Sequence, residues 1–392
     1  MKDALSVLCL VLLVSVLEAA ETKPNPANFI ECLRYRTSPE YPITDAIFIA
    51  DNTTTFLSSY LSYTKNKRFL SPNYEKLLAI VAAKHVSHIE ATVICAKSNG
   101  VQLRTRSGGH DLEGLSYRSS VPFVILDMHN LRSITVDVSS KKAWVQSGAT
   151  LGELYVKISE ASQTLAFPAG VCPTVGAGGH ISGGGYGNLL RKYGLTVDHV
   201  GDAQLVDVNG KLLNRATMGE DLFWAIRGGG GGSFGVILSW KINLVEVPKI
   251  MTVFRVNKTL EQGGTDVLYK WQLVSTKFPD DLFMRAWPQA VNGTKRGERT
   301  IAVVFYAQFL GTADKLMSIM KQSLPELGLK RKDCHQMSWF NTTLFWADFP
   351  AAKIYGTKYF LGNLQRLMQV KAKYDPENFF KNEQSIPPVH VM

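Results

Sequence analysis

The chain has 392 residues, enough for two domains with sizeable cores, and its make-up (45% hydrophobic, 19% charged) is that of an ordinary globular protein. The formal charge of +10 and a pI near 9.2 favour polyanionic partners. No basic cluster is interleaved with aromatic residues, which argues against nucleic acid.

In chain order, Met1-Lys-Asp is followed by an apolar run from Ala4 to Leu17 and then Glu18-Ala-Ala-Glu-Thr. That is the pattern of a secretory signal over residues 1–20, too short for a membrane span, and no other segment is apolar enough to cross a bilayer. With Cys9 in the leader, an oxidising compartment leaves Cys32, Cys95, Cys172 and Cys334 to account for. Glycosylation sequons at Asn52, Asn257, Asn292 and Asn341 fit secretion. Residues 75–98 read as an amphipathic helix ended by Asn99-Gly100. Alternation predicts strands at 101–106, 121–128, 133–138 and 142–147. Thr150-Leu-Gly-Glu153 is a capping box for a helix running to about Ser162. Asp202 to Leu213 reads as a hairpin turning at Asn209-Gly210. A short helix from Glu220 to Ile226 precedes five glycines, Gly228 to Gly232, and a strand from Phe234 to Val245. Pro248 marks a boundary. Strands at 251–256, 281–289 and 300–308 with helices at 261–276 and 312–322 then predict an α+β layer.

Two glycine-rich stretches carry the chemistry. The first is Arg104-Thr-Arg-Ser-Gly-Gly-His110-Asp-Leu-Glu-Gly-Leu-Ser-Tyr117. The second runs from Phe167 through Cys172 and His180 to Gly187, and eight of the eighteen residues from Gly170 to Gly187 are glycine. A turn needs one or two glycines; so many suggest backbone wrapped around a ligand, with amides facing a pyrophosphate. An imidazole and a thiolate can each bond covalently to an electron-poor ring. Gly230-x-Gly232-x-x-Gly235 matches the dinucleotide fingerprint in form only, since it leads into a strand instead of opening a helix. A Walker phosphate loop is absent, and no metal site is expected.

From about Asn28 to Pro388 the chain resembles the berberine bridge enzyme-like (reticuline oxidase-like) proteins of the vanillyl alcohol oxidase superfamily, on these two motifs and the tail Asp375-Pro-Glu-Asn-Phe-Phe380. The resemblance implies an α+β fold. A two-part PCMH-type FAD-binding domain covers 28–246 and is completed by 354–388; a shortened antiparallel α+β substrate domain covers 247–353. It implies FAD held bicovalently, with His110 on the flavin 8α carbon and Cys172 on C6. Arg106, Ser107, Gly108, Gly109 and Ser116 fall at pyrophosphate contacts, and Gly176, Gly179, Ser182 and Gly183 along the ring and its phosphates. Asn378 lies in the closing motif that returns to the flavin domain. Tyr117 and Tyr193 take the positions of substrate-facing aromatics, and Ile181 that of a gate for oxygen, its branched side chain implying an acceptor other than oxygen. Cys32 and Cys95 match a family disulfide. The implied partners are a small alcohol, sugar or alkaloid-like substrate and an electron acceptor, oxygen or another, with acidic cell-wall polysaccharide a further partner suggested by the charge. The implied location is extracellular or cell wall, with the vacuole as alternative.

One stretch departs from the family. In relatives a long segment separates the motif like Met337-Ser-Trp339 from the one like Tyr355-Gly-Thr-Lys-Tyr-Phe360. It holds strands of the substrate sheet, a Tyr-x-Asn element and the catalytic base. Here Phe349-Pro350-Ala351-Ala352 joins the flanks directly. Oxidation of an alcohol needs a base for the hydroxyl proton while hydride moves to the flavin. The chain therefore reads as a FAD-linked oxidoreductase. The alternatives are a catalytically impaired flavin-binding member and a basic secreted binding protein whose flavin is only structural.

Overall fold

The computed structural model describes residues 25–347, apart from 51–53, 70–75, 294 and 296. The expected leader, the Asn52 sequon, the Pro350 junction, the 354–388 segment and Asn378 lie outside the described residues. By backbone contacts the chain divides into two compact units after Asn130, with Val206–Leu212 returning to the first.

The first unit begins with α1 (Pro26–Arg36), β1 (Ile47–Ile49), α2 (Thr54–Ser62) and β2 (Leu77–Ala82), followed by α3 (Val86–Ser98), β3 (Gln102–Arg106) and β4 (Phe123–Asp127). Its sheet has the order β1-β2-β4-β3. β4 runs parallel to both β2 and β3, and β1 caps the other edge antiparallel. The single helix expected over 75–98 is thus a correction: strand β2, then a turn, then α3 with His85 as N-cap. Leu77-Leu-Ala-Ile-Val-Ala82 is buried along nearly its whole length. An apolar run with no polar face carries no period, so it fits a central parallel strand as well as a helix. Phe56, Tyr60, Leu77, Ile80, Tyr117, Phe123 and Ile125 form the core between this sheet and α2. Cys32 and Cys95 are bonded, with Cα atoms 5.8 Å apart, tying α1 to α3.

The second unit opens with β5 (Ile134–Asp137), β6 (Lys142–Gln146), α4 (Leu151–Ala161), β7 (Leu165–Ala166), α5 (Ala177–Ser182) and α6 (Leu190–Tyr193). It continues with β8 (Val200–Val206), β9 (Leu212–Leu213), α7 (Arg215–Ala225), β10 (Val236–Asn243) and β11 (Val245–Glu246). A five-stranded sheet has the order β5-β6-β10-β8-β9. The capping box forms: Thr150 Oγ1 accepts from the Glu153 amide at 3.3 Å and Glu153 Oε2 from the Thr150 amide at 2.9 Å. Five glycines end in a 3-10 turn, Gly231–Ser233, that feeds β10, so the fingerprint-like spacing opens no helix here.

The remaining elements are β12 (Met251–Thr259), α8 (Gly264–Val274), β13 (Leu282–Asn292) and β14 (Arg299–Phe309), then α9 (Ala313–Ser323), β15 (Cys334–Met337) and α10 (Trp339–Trp346). Their antiparallel sheet has the order β13-β14-β12-β15. One face, with Phe254, Leu282, Met284, Phe305 and Ala307, packs on α8 and α9. The other face carries Val253, Val304, Tyr306 and Phe283 against Trp346 and Phe345 of α10 and against Val171. Alternation along each strand produces both faces. The second brings the substrate-layer sheet beside the glycine arm.

Candidate functional site

The glycine arm leaves β7 at Ala166 and returns through α5 and α6. Two close approaches make glycine obligatory along the two motifs. A Cβ on Gly187 would stand 1.8 Å from the Ala169 carbonyl oxygen, because the outgoing and returning strands of the arm touch there. In the first unit Gly109 has φ +69°, and a Cβ on it would stand 1.7 Å from the Tyr63 oxygen.

The arm walls a cavity of about 570 Å³, within the ~300–1,000 Å³ of small-molecule sites. Gly179, Gly183, Gly184 and Gly185 line it, together with Cys172 and Arg285. Cβ atoms on Gly179 and Gly184 would meet nothing within 4 Å, so the bare backbone leaves that wall open to a flat ligand. Cys172 is a free, exposed thiol with Thr174 Oγ1 3.6 Å from its sulfur. An accessible nucleophilic sulfur on a wall of bare backbone is the donor set a covalently held ring requires, so these residues fit a flavin.

His180 sits between two strands of the arm. Its Nε2 accepts from the Gly170 amide at 3.1 Å and lies 3.3 Å from Thr196 Oγ1, whose own proton goes to the Pro168 carbonyl. Burial lowers its pKa to about 4. The ring is therefore neutral at physiological pH, and the amide bond to Nε2 places its proton on Nδ1.

His110 is half-buried on the loop after β3. The next residue organises that loop. Asp111 Oδ1 accepts from the Glu113 amide at 3.0 Å, and Oδ2 accepts from the amide and hydroxyl of Ser116 at 2.8 and 3.0 Å. Asn66 donates to the Leu112 carbonyl at 2.8 Å.

Residues 77–215 match the FAD binding domain family and residues 335–387 the berberine and berberine-like family. The chain is 63% identical over 528 aligned positions to Berberine bridge enzyme-like 7 of Arabidopsis thaliana, covering all of both chains. It belongs to the berberine bridge enzyme-like family of FAD-dependent oxidoreductases. With tetrahydroberberine oxidase of Berberis wilsoniae it shares 50% identity over 84% of this chain and 61% of that one. The solved structure of wild-type Phl p 4.0202, a glucose dehydrogenase, superposes with TM-score 0.74 at 42% identity, covering 81% of this chain and 62% of that one. The chain thus spans about three fifths of the solved relative's length. The 528 aligned positions against 392 residues likewise give the Arabidopsis relative a long stretch that this berberine bridge enzyme-like chain lacks.

The other expected site residues have the following surroundings. Arg106 is wholly buried: Nε donates to Asp127 Oδ2 at 2.8 Å, Nη1 to the Tyr60 carbonyl at 3.0 Å and Nη2 to the Ser59 carbonyl at 2.8 Å. Its side chain is a buried cation at the end of β3, paired with Asp127. Burial opposes the Asp127 carboxylate, but Arg106 and the nearby His129 outweigh it and hold its pKa below the usual carboxylate range. Tyr117 is a core residue, 1% exposed, donating to the Asp111 carbonyl at 3.1 Å. Tyr193 donates to the Glu246 carbonyl. Burial raises the pKa of both phenols, so neither is available as a base near neutrality. The tyrosine that lines the cavity is Tyr186, 59% exposed, within the same glycine motif. Ile181 is fully buried in the core under the arm; Val171 and Val175 are the β-branched residues on the cavity wall. Gly176 is the N-cap of α5, and the Ser182 hydroxyl donates to the Gly178 carbonyl at 2.7 Å, inside the helix. Ser107 and Gly108 are half-buried on the His110 loop. Asn257, Asn292 and Asn341 are exposed. Among the described residues no cluster of acidic, histidine and cysteine side chains is placed to hold a metal, and no helix is long and apolar enough to cross a membrane.

Sequence reasoning passed over His180, Tyr186 and Arg285. The first two stood inside the quoted glycine motif, where their neighbours drew the attention. Arg285 lies on a strand over a hundred residues downstream and carried no local signal.

Proposed function

We propose that this protein is a secreted flavoprotein holding FAD covalently through His110 and Cys172, with a small alcohol, sugar or alkaloid-like compound as its substrate class. The exposed Cys172 thiol on the glycine-lined cavity carries the reading. The family membership supports FAD, and the names of two relatives, an alkaloid oxidase and a glucose dehydrogenase, support the substrate range. Exposed sequons and the disulfide support an oxidising, secretory route.

The flavin, when bound, supplies a two-electron acceptor. This chain's residues supply the rest: the Gly179–Gly185 backbone shapes the wall, neutral His180 braces it, and Asp111 fixes the loop that presents His110. Among the described residues, the two tyrosines expected to face the substrate are not prepared as bases. Tyr117 and Tyr193 are engaged with carbonyls and raised in pKa. The reading is therefore of a loaded flavoprotein with little turnover.

Acid-precipitated wild-type protein should stay yellow. His110→Ala should leave the flavin attached through Cys172, and the double variant with Cys172→Ala should release it on denaturation. Wild-type protein that gives up all its flavin to the supernatant would refute covalent attachment.

A further inference from the structure

The second face of the antiparallel sheet holds a row of three residues in direct register. Arg285 of β13 pairs with Tyr306 of β14, and Tyr306 pairs with Arg255 of β12. Directly opposed residues in antiparallel strands project to the same side. Aromatic rings surround the Arg285 guanidinium: its Cζ stands 4.9 Å from the Trp346 ring centre, 5.2 Å from Tyr306 and 5.4 Å from Trp287. Trp346 is itself held by Phe283 and Tyr306 at 5.7 and 5.3 Å. Arg285 lines the same cavity as Cys172. Asn188 of the cavity wall reaches Gln308 of the sheet face at 3.4 Å, so wall and sheet are joined beside it.

No carboxylate among the described residues pairs with Arg285, and its Nε is buried without a hydrogen-bond partner. Stacked rings fix the plane of a guanidinium and leave its in-plane N–H groups unused. A cation partly removed from water, held by rings and given no acid, is incomplete until an anion arrives. A planar five-donor fork of this kind matches a carboxylate in two parallel hydrogen bonds.

We infer that Arg285 is a specificity-determining residue that selects substrates carrying a carboxylate, a sugar acid or hydroxy acid, over neutral sugars and against cationic amines. The inference rests on the reading of this cavity as the flavin and substrate site. The aromatic surround suits the apolar face of a sugar ring, and the charge opposes a protonated amine of alkaloid type.

The test uses the full-length holoprotein, because perturbation of the bound flavin's absorbance reports binding without turnover. D-glucuronate, D-glucose and benzylamine serve as probes. Wild-type protein should bind glucuronate at least about ten-fold more tightly than glucose, the range of one charge-assisted hydrogen bond or better. Benzylamine should bind most weakly. Arg285→Gln should bring glucuronate and glucose to within about two-fold, and Arg285→Lys should restore part of the preference. Raising salt from about 50 to about 500 mM should weaken glucuronate and leave glucose unchanged, a readout that needs no variant. Equal binding of the two sugars by wild type, no saturable response to glucuronate, or a preference that survives in Arg285→Gln overturns the inference while the flavin site stands. A change in flavin midpoint potential in Arg285→Gln with intact sugar discrimination would assign the charge to the ring and also overturn it. Protein without acid-stable flavin overturns the site reading, and this inference with it.

Discussion

His180 is a neutral imidazole whose solubility in water is given up for one amide hydrogen bond. Above pH 6.5 neither the folded nor the unfolded chain protonates it, and its burial is neutral with respect to pH. As pH falls from 6.5 to about 4, the unfolded chain binds a proton that the native one refuses, so stability declines across that window. The full effect is about 3 kcal/mol. The urea midpoint should drop between pH about 7 and about 4, and more gently in His180→Gln, which keeps an acceptor for the Gly170 amide and does not titrate. A wild-type midpoint that is flat over this range would contradict the buried neutral ring. Asp127 adds to the same acid sensitivity with the opposite chemistry. Its depressed carboxylate stabilises the fold above the unfolded pKa, and that stabilisation disappears as pH falls through the folded value. Asp127→Asn strands the wholly buried Arg106 cation. Thermal or urea unfolding should show a loss of about 3–5 kcal/mol, the usual cost of uncoupling a buried pair. A loss under about 1 kcal/mol would mean the two carbonyls at Ser59 and Tyr60 suffice for the guanidinium.

Among the elements, α1 depends most on a single bond. It has only Phe29, Ile30 and Leu33 buried, and Cys32 joins it to Cys95 of α3 across 63 residues. In the chain-entropy account a loop of that length stabilises by about 4 kcal/mol. The Cys32→Ser, Cys95→Ser double variant should melt well below the oxidised parent, and native-state hydrogen exchange should show α1 opening before β2 and β4. Coincident exchange of α1 and the strands would show that packing alone holds the helix. The same element scale explains the error over 75–98. α3 has a genuine helical pattern and a histidine N-cap, but the six apolar residues before it face protein on both sides. Periodicity reports an interface with water, and a strand buried on both faces has none.

At the scale of the whole molecule, the antiparallel sheet has four strands among the described residues, and relatives of the same family are longer by a stretch this chain lacks. Among the described residues the cavity has its glycine wall, its thiol and an arginine, and no carboxylate lines it. A positioned base contributes ~10²–10⁴-fold. Anaerobic mixing with glucose or a simple alcohol should therefore reduce the flavin far more slowly than the ~10 per second of an ordinary enzyme. Reduction near that ordinary rate would show that a retained residue supplies the base, and Tyr186, exposed on the cavity, would be the first to replace.

By itself the sequence determined the flavin-type motifs, the capping box at Thr150, the hairpin at Asn209-Gly210 and the α+β layer after Pro248. Each is a local signal or a motif whose meaning does not depend on distant neighbours. Only the tertiary structure decided which side chain in a motif reaches the cavity. Arg106 and His110 are four residues apart, yet one is sealed inside an ion pair and the other sits on a half-buried loop. Tyr193 and Ile181 turn away to a carbonyl and a core, while Tyr186 and Val175, a few positions off, face the open wall. Arg285 joins them from another sheet through strand register and aromatic stacking. Direction of a side chain depends on backbone angles and on what fills the space opposite, and both are settled by contacts between segments far apart in the chain.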